Sequence, residues 1–222
     1  GLFTSTGSKT LRKAVLLLSV FFSLSLSARE FREYSFPLLD APFNTNPGSI
    51  DTQNKSPVPS MEQSVYLTKN LIQLYHRGLV AAFDSIFESG SFEARLGKAL
   101  LLGGADLLNF SSPLPSNPSW THEEWHRAVL AARDIPSQDD VYKNSSSDII
   151  YVSHVRDSDL SLLKKEHPAE FVRLMSAGME AQSRLNYLLI SDNFFQTGPQ
   201  SNDLVVLWFN QLNNTFYLNS CA

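Results

Sequence analysis

Between Met61 and Glu88, apolar residues such as Val65, Ile72, Leu79, Ala82 and Phe83 recur mostly at three- and four-residue steps. That period predicts a helix with one buried face. Ser89, Gly90 and Ser91 break it, and a second apolar stretch runs from Phe92 to Phe110. Lys98, Gly103, Gly104 and Asp106 interrupt this stretch, so it predicts a helical hairpin or a segment lying against a membrane rather than a span. Pro113, Pro115 and Pro118 then punctuate a loop. A helix is expected from Thr121 to Arg133, with Thr121 as N-cap and Glu124 completing a capping box. Residues 135–147 read as loop, and the short β-branched and aromatic run Ile149–Val155 as a strand. A short helix should start at Asp157 or Ser158 and reach Lys165, and Pro168 suits the first turn of a longer one ending near Ile190. The last stretch, Leu204–Ala222, has no charged residue but several Asn, which predicts a buried helix or a membrane-contacting segment. The pattern as a whole describes a mainly α protein: a helical, bundle-like domain with a short strand or hairpin near 149–155.

The beginning of the chain has a different character. Lys9, Arg12 and Lys13 precede the uncharged run Ala14–Ala28, which Arg29 ends. A basic start, an apolar middle and small residues at Ser25 and Ser27 predict a secretory signal over 1–28; the alternative is an uncleaved anchor. The run is shorter than the ~20 residues that span a bilayer as a helix. Residues 29–60, rich in Pro, Asn and Ser, read as a linker, and residues 61–222 as one helical domain. The chain begins with Gly1 rather than Met, so a fragment of a longer protein is expected. Its destination would be outside the cytoplasm: periplasmic, extracellular or membrane-associated.

With 43% hydrophobic and 18% charged residues, 222 residues suffice for one well-filled core. A formal net charge of -4 gives no basic surface for phosphate and sets nucleic acid aside as a partner. The single cysteine, Cys221, excludes both an internal disulfide and a cysteine metal cluster. Any metal must be held by His and carboxylate.

One motif carries chemistry: His122-Glu123-Glu124-Trp125-His126. Two histidines at i and i+4 share a helix face, so their imidazoles can converge on one ion. Glu123 follows the first of them, where its carboxylate can take a proton from metal-bound water. At this point the chain resembles the HExxH zinc metallopeptidases. The resemblance implies zinc as cofactor, His122 and His126 as ligands, Glu123 as general base and a peptide or protein as substrate. It departs from the usual pattern at Glu124 and Arg127, which are charged where uncharged residues are commoner.

A catalytic site of this kind needs a third ligand. Glu180, within Ala177-Gly178-Met179-Glu180-Ala181, sits on the second long helix, and this stretch resembles the third-ligand helix of membrane-associated gluzincins. The resemblance, confined to about residues 121–184, makes Glu180 the metal ligand. Arg184 departs from it, standing where that group often has an Asp. His154 is the alternative third ligand, or a donor to the oxyanion. The expected activity is that of an exported, membrane-associated zinc metallopeptidase. The competing reading is a non-catalytic helical envelope or membrane protein whose HExxH motif is degenerate or structural.

Overall fold

The computed structural model describes residues 44–46, 56–86, 91–143, 148–195 and 203–220. The expected signal at 1–28 lies outside them, as does much of the linker. Within them the protein is mainly helical. Six helices, α1 (Met61–Ile86), α2 (Phe92–Phe110), α3 (Ser119–Ala131), α4 (Asp157–Glu166), α5 (Pro168–Phe194) and α6 (Asp203–Ser220), accompany two hairpins. The first hairpin pairs β1 (Asn44–Asn46) with β2 (Ser56–Val58) inside the expected linker. The second pairs β3 (Gln138–Lys143) antiparallel with β4 (Asp148–Ser153), placing Asp139 opposite Val152. No helix among the described residues is long and apolar enough to cross a membrane.

The core forms where α3 and α5 pack together and α1 closes over both. Val65 and Ile72 of α1, Trp125 and Val129 of α3, and Leu174, Ala177, Ala181, Leu185 and Leu189 of α5 are buried there. Ala177, Gly178 and Ala181 are small, so α5 can approach α3 closely. Trp125 packs its ring inward and donates its indole N–H to the Met61 carbonyl at 2.8 Å, which ties the start of α1 to α3.

One helix start agrees with the sequence reading and one differs from it. The Ser60 and Gln63 side chains cap α1 reciprocally: the Gln63 N–H donates to Ser60 Oγ (3.2 Å) and the Ser60 N–H to Gln63 Oε1 (3.0 Å). That is a capping box the sequence contained. The box expected at Thr121 and Glu124 does not form, because α3 begins two residues earlier. Asn117, 1% exposed, sets this start: its Oδ1 accepts the Ser119 N–H at 2.9 Å, and its Nδ2 donates to the Phe110 and Ser112 carbonyls. Thr121 therefore lies inside the first turn, with its hydroxyl 3.3 Å from Ser64 Oγ.

The Phe92–Phe110 stretch is one continuous helix rather than a hairpin, with Gly103 and Gly104 inside it. It buries only Leu102, Asp106 and Asn109, and is anchored by polar contacts. Tyr75 Oη donates to the Ala105 carbonyl at 2.8 Å. His76 lies between two carboxylates, with Nε2 3.0 Å from Asp106 Oδ1 and Nδ1 2.9 Å from Asp203 Oδ1. These three side chains, from α1, α2 and α6, are at most 1% exposed. Asn193 of α5 donates to the other Asp203 oxygen at 2.7 Å. The two carboxylates outweigh burial, which acts in the opposite direction, and push the His76 ring up to about 9.

Candidate functional site

The middle of α3 faces a cleft of about 580 Å³ bounded by β4, α5 and α6. His122, Glu123 and His126 line it together, so the structure brings these three predicted residues to one place. The two imidazole rings lie edge to face with centroids 5.0 Å apart.

Each ring is held by a different device. The Leu174 carbonyl accepts a hydrogen bond from His126 Nδ1 at 2.6 Å, which assigns the proton to Nδ1 and leaves the Nε2 lone pair available. His122 is 4% exposed and lies flat over Gly178. A Cβ added at residue 178 would sit 2.1 Å from His122 Nε2, so only glycine admits the ring. Gln182, itself holding Asn213 through a 3.0 Å hydrogen bond, interacts with the same ring. Burial, then the neighbouring His126, pushes His122 down to about 4, against the opposing pull of Gln182. Burial also lowers His126, against the Leu174 carbonyl. Both rings are therefore neutral at pH 7, the state in which imidazole binds a metal. His122 Nδ1 is buried and has no hydrogen-bond partner, an orphan that a cation would satisfy. The two histidines thus offer two nitrogens to a metal ion, one fewer than the three protein ligands of a catalytic zinc site.

The third expected ligand does not join them. Glu180 is exposed, and its Oε1 accepts a 2.6 Å hydrogen bond from Ser176 Oγ one turn back on α5. Gly178 is the residue of α5 that meets His122, and two helical residues further on a side chain points to the opposite side. His154 does not line the cleft either: it follows β4 with φ 62°, exposed, its Nδ1 2.8 Å from Ser153 Oγ. Among the described residues no group of three or more His, Cys, Asp or Glu side chains is placed to hold a metal ion. Arg184, standing where membrane-associated gluzincins often have an Asp, grips Glu62 of α1 through two 3.1 Å contacts.

Glu123 points toward β4. The Val152 backbone N–H bonds to its carboxylate and lowers its pKa, but burial, then the charge of Asp139, prevails and pushes Glu123 up to about 8. Glu124 is no exposed cap. It shares Arg127 with Asp139, each 2.8 Å from Arg127 Nη1, in a patch where all three side chains are at most 16% exposed. Burial, then a hydrogen bond with Asp139, pushes Glu124 up to about 8, opposed by Arg127. The two charged departures from the usual motif thus form one network that fastens α3 to β3.

Sequence reasoning passed over Gly178 and Gln182 as site residues, and weighed Asp139 only as part of an acidic patch with Asp134 and Asp140 that was expected to do nothing. Gly178 was legible only as a small residue for helix packing; nothing in the order of residues shows that a histidine ring lies on it. Gly178→Ala should destabilise the fold by roughly 1–3 kcal/mol through overpacking, because the ring that must yield is confined between two helices. Urea unfolding measures this, and a midpoint equal to that of the unsubstituted protein would contradict the placement of His122. Comparison with protein-family models, curated proteins and solved structures returns no match to this chain.

Proposed function

We propose that the chain is an exported, membrane-associated zinc metallopeptidase, with His122 and His126 as metal ligands and Glu123 as general base. The observation that supports it best is the orientation of the pair: two neutral imidazoles, one aimed by the Leu174 carbonyl and one laid on Gly178, open onto the cleft that also holds Glu123. Zinc, when bound, would polarise the scissile carbonyl and acidify a water molecule. Glu123, raised to about 8 without the ion, would be drawn into its carboxylate form by the ion's charge. It would then take the proton of that water and hand it to the leaving amine.

The cleft suits an extended peptide. Residues 149–152 of β4 line it, and among the described residues β4 pairs only with β3. The outer edge of β4 offers backbone groups to which a peptide can add as a further strand, with neighbouring apolar side chains accepting alternate residues. The Val152 N–H belongs to this edge and is bonded to Glu123, so a peptide added there would run beside the proposed base.

A second reading, a non-catalytic helical protein with a degenerate motif, is favoured by the position of Glu180. Metal analysis separates the two. The proposal expects one zinc per chain in the purified protein, lost in His126→Ala. Zinc retained in Glu180→Ala would agree with the exposed position of that carboxylate, and zinc lost would return it to the ligand set. A protein that takes up no zinc would sink the proposal.

A further inference from the structure

Among the described residues, much of α2 has no partner. Gly97 and Gly104 lie one heptad apart on its outer side, where an added Cβ would meet nothing within 4 Å. Leu100 and Leu107 flank them on one side and Leu101 and Leu108 on the other, repeating at the same interval and 46–74% exposed. Phe92 and Leu96 border this face, also exposed. A seven-residue repeat of large and small apolar positions is the pattern of a helix that packs along another helix, and glycines in the groove permit close approach.

We propose that α2 pairs with α2 of a second copy of this chain, leucine rows interdigitating over Gly97 and Gly104. The six exposed side chains present on the order of 600 Å² per copy, so a two-fold pairing would remove roughly 1,000 Å² or more, about what a specific contact needs. Charge favours a like partner over a lipid surface. Glu93 is the one charged residue on the face, and Lys98 at its margin is bonded to Asp84. A helix that lies on anionic lipid carries an excess of basic residues on its polar side, whereas α2 balances Arg95 and Lys98 with Glu93 and Asp106. The heptad interval also has no counterpart in a fluid bilayer.

The test is sedimentation velocity of the full chain and of the double variant Leu101→Lys/Leu108→Lys, both exposed positions, with thermal melts showing that each is folded. The expected result is a species of twice the chain mass at micromolar concentration that shifts to single-chain mass in the variant. A monomer in both, or a dimer that survives both lysines, overturns the proposal. Flotation with anionic vesicles that the same lysines abolish, without a dimer, also overturns it and assigns the face to lipid.

Discussion

Glu123→Gln should bind zinc at the level of the unsubstituted protein while peptide hydrolysis falls by roughly 10²–10⁴, the usual loss on removing a general base. The two effects separate because Glu123 bonds neither histidine: His126 is aimed by Leu174 and His122 rests on Gly178. Glutamine keeps an oxygen for the Val152 N–H and removes a carboxyl that Asp139 opposes, so the fold has no reason to weaken. Glu124→Gln is the control. Glu124 does not line the cleft, and glutamine keeps an oxygen for Arg127, so hydrolysis should be unchanged and stability nearly so. Bound zinc and peptide cleavage, assayed side by side for the three proteins, give the answer. Full activity in Glu123→Gln would remove it from the mechanism.

His76→Ala should destabilise the protein by about 3–5 kcal/mol, the cost of stranding a buried charge whose partner is removed. Asp106 and Asp203 are both buried and meet the same ring from opposite sides, so the substitution leaves two carboxylates without their cation. The damage would fall on the joint of α1, α2 and α6. The same ring predicts a pH dependence. Its pKa rises from 6.5 unfolded to about 9 folded, so the folded state holds the proton more tightly. The contribution is whole below pH 6.5 and is lost as pH climbs through 9, about 3 kcal/mol in total. Glu123 and Glu124, raised from 4.5 to about 8, act in the same direction over a lower range. The His76 share is therefore the part of the slope between pH 6.5 and 9 that disappears in His76→Ala. Urea unfolding at both pH values measures it, and an equal slope in the two proteins would refute the clamp.

Local periodicity determined most of the helices. The apolar spacing of Met61–Ile86, the proline at 168 and the acidic start at Asp157 each act within a few residues, so α1, α5 and α4 were legible with nearly their final bounds. The strand at 149–155 was legible for the same reason, but its partner was not: Gln138–Lys143 is half charged and becomes a strand by pairing with β4. The closeness of the His122 and His126 rings followed from helical spacing alone, since i and i+4 share a face in any α-helix. What lies around them is decided by contacts across long intervals of chain. Sequence order could not show that the Leu174 carbonyl orients His126, that Gly178 makes room for His122, or that Glu180 turns outward to Ser176. Nor could it show that His76, far from any motif, joins Asp106 and Asp203 at the centre of the fold. A residue's type and neighbours limit which bonds it can make; only the packing of whole helices selects the partner, because burial makes an unpaired polar group costly.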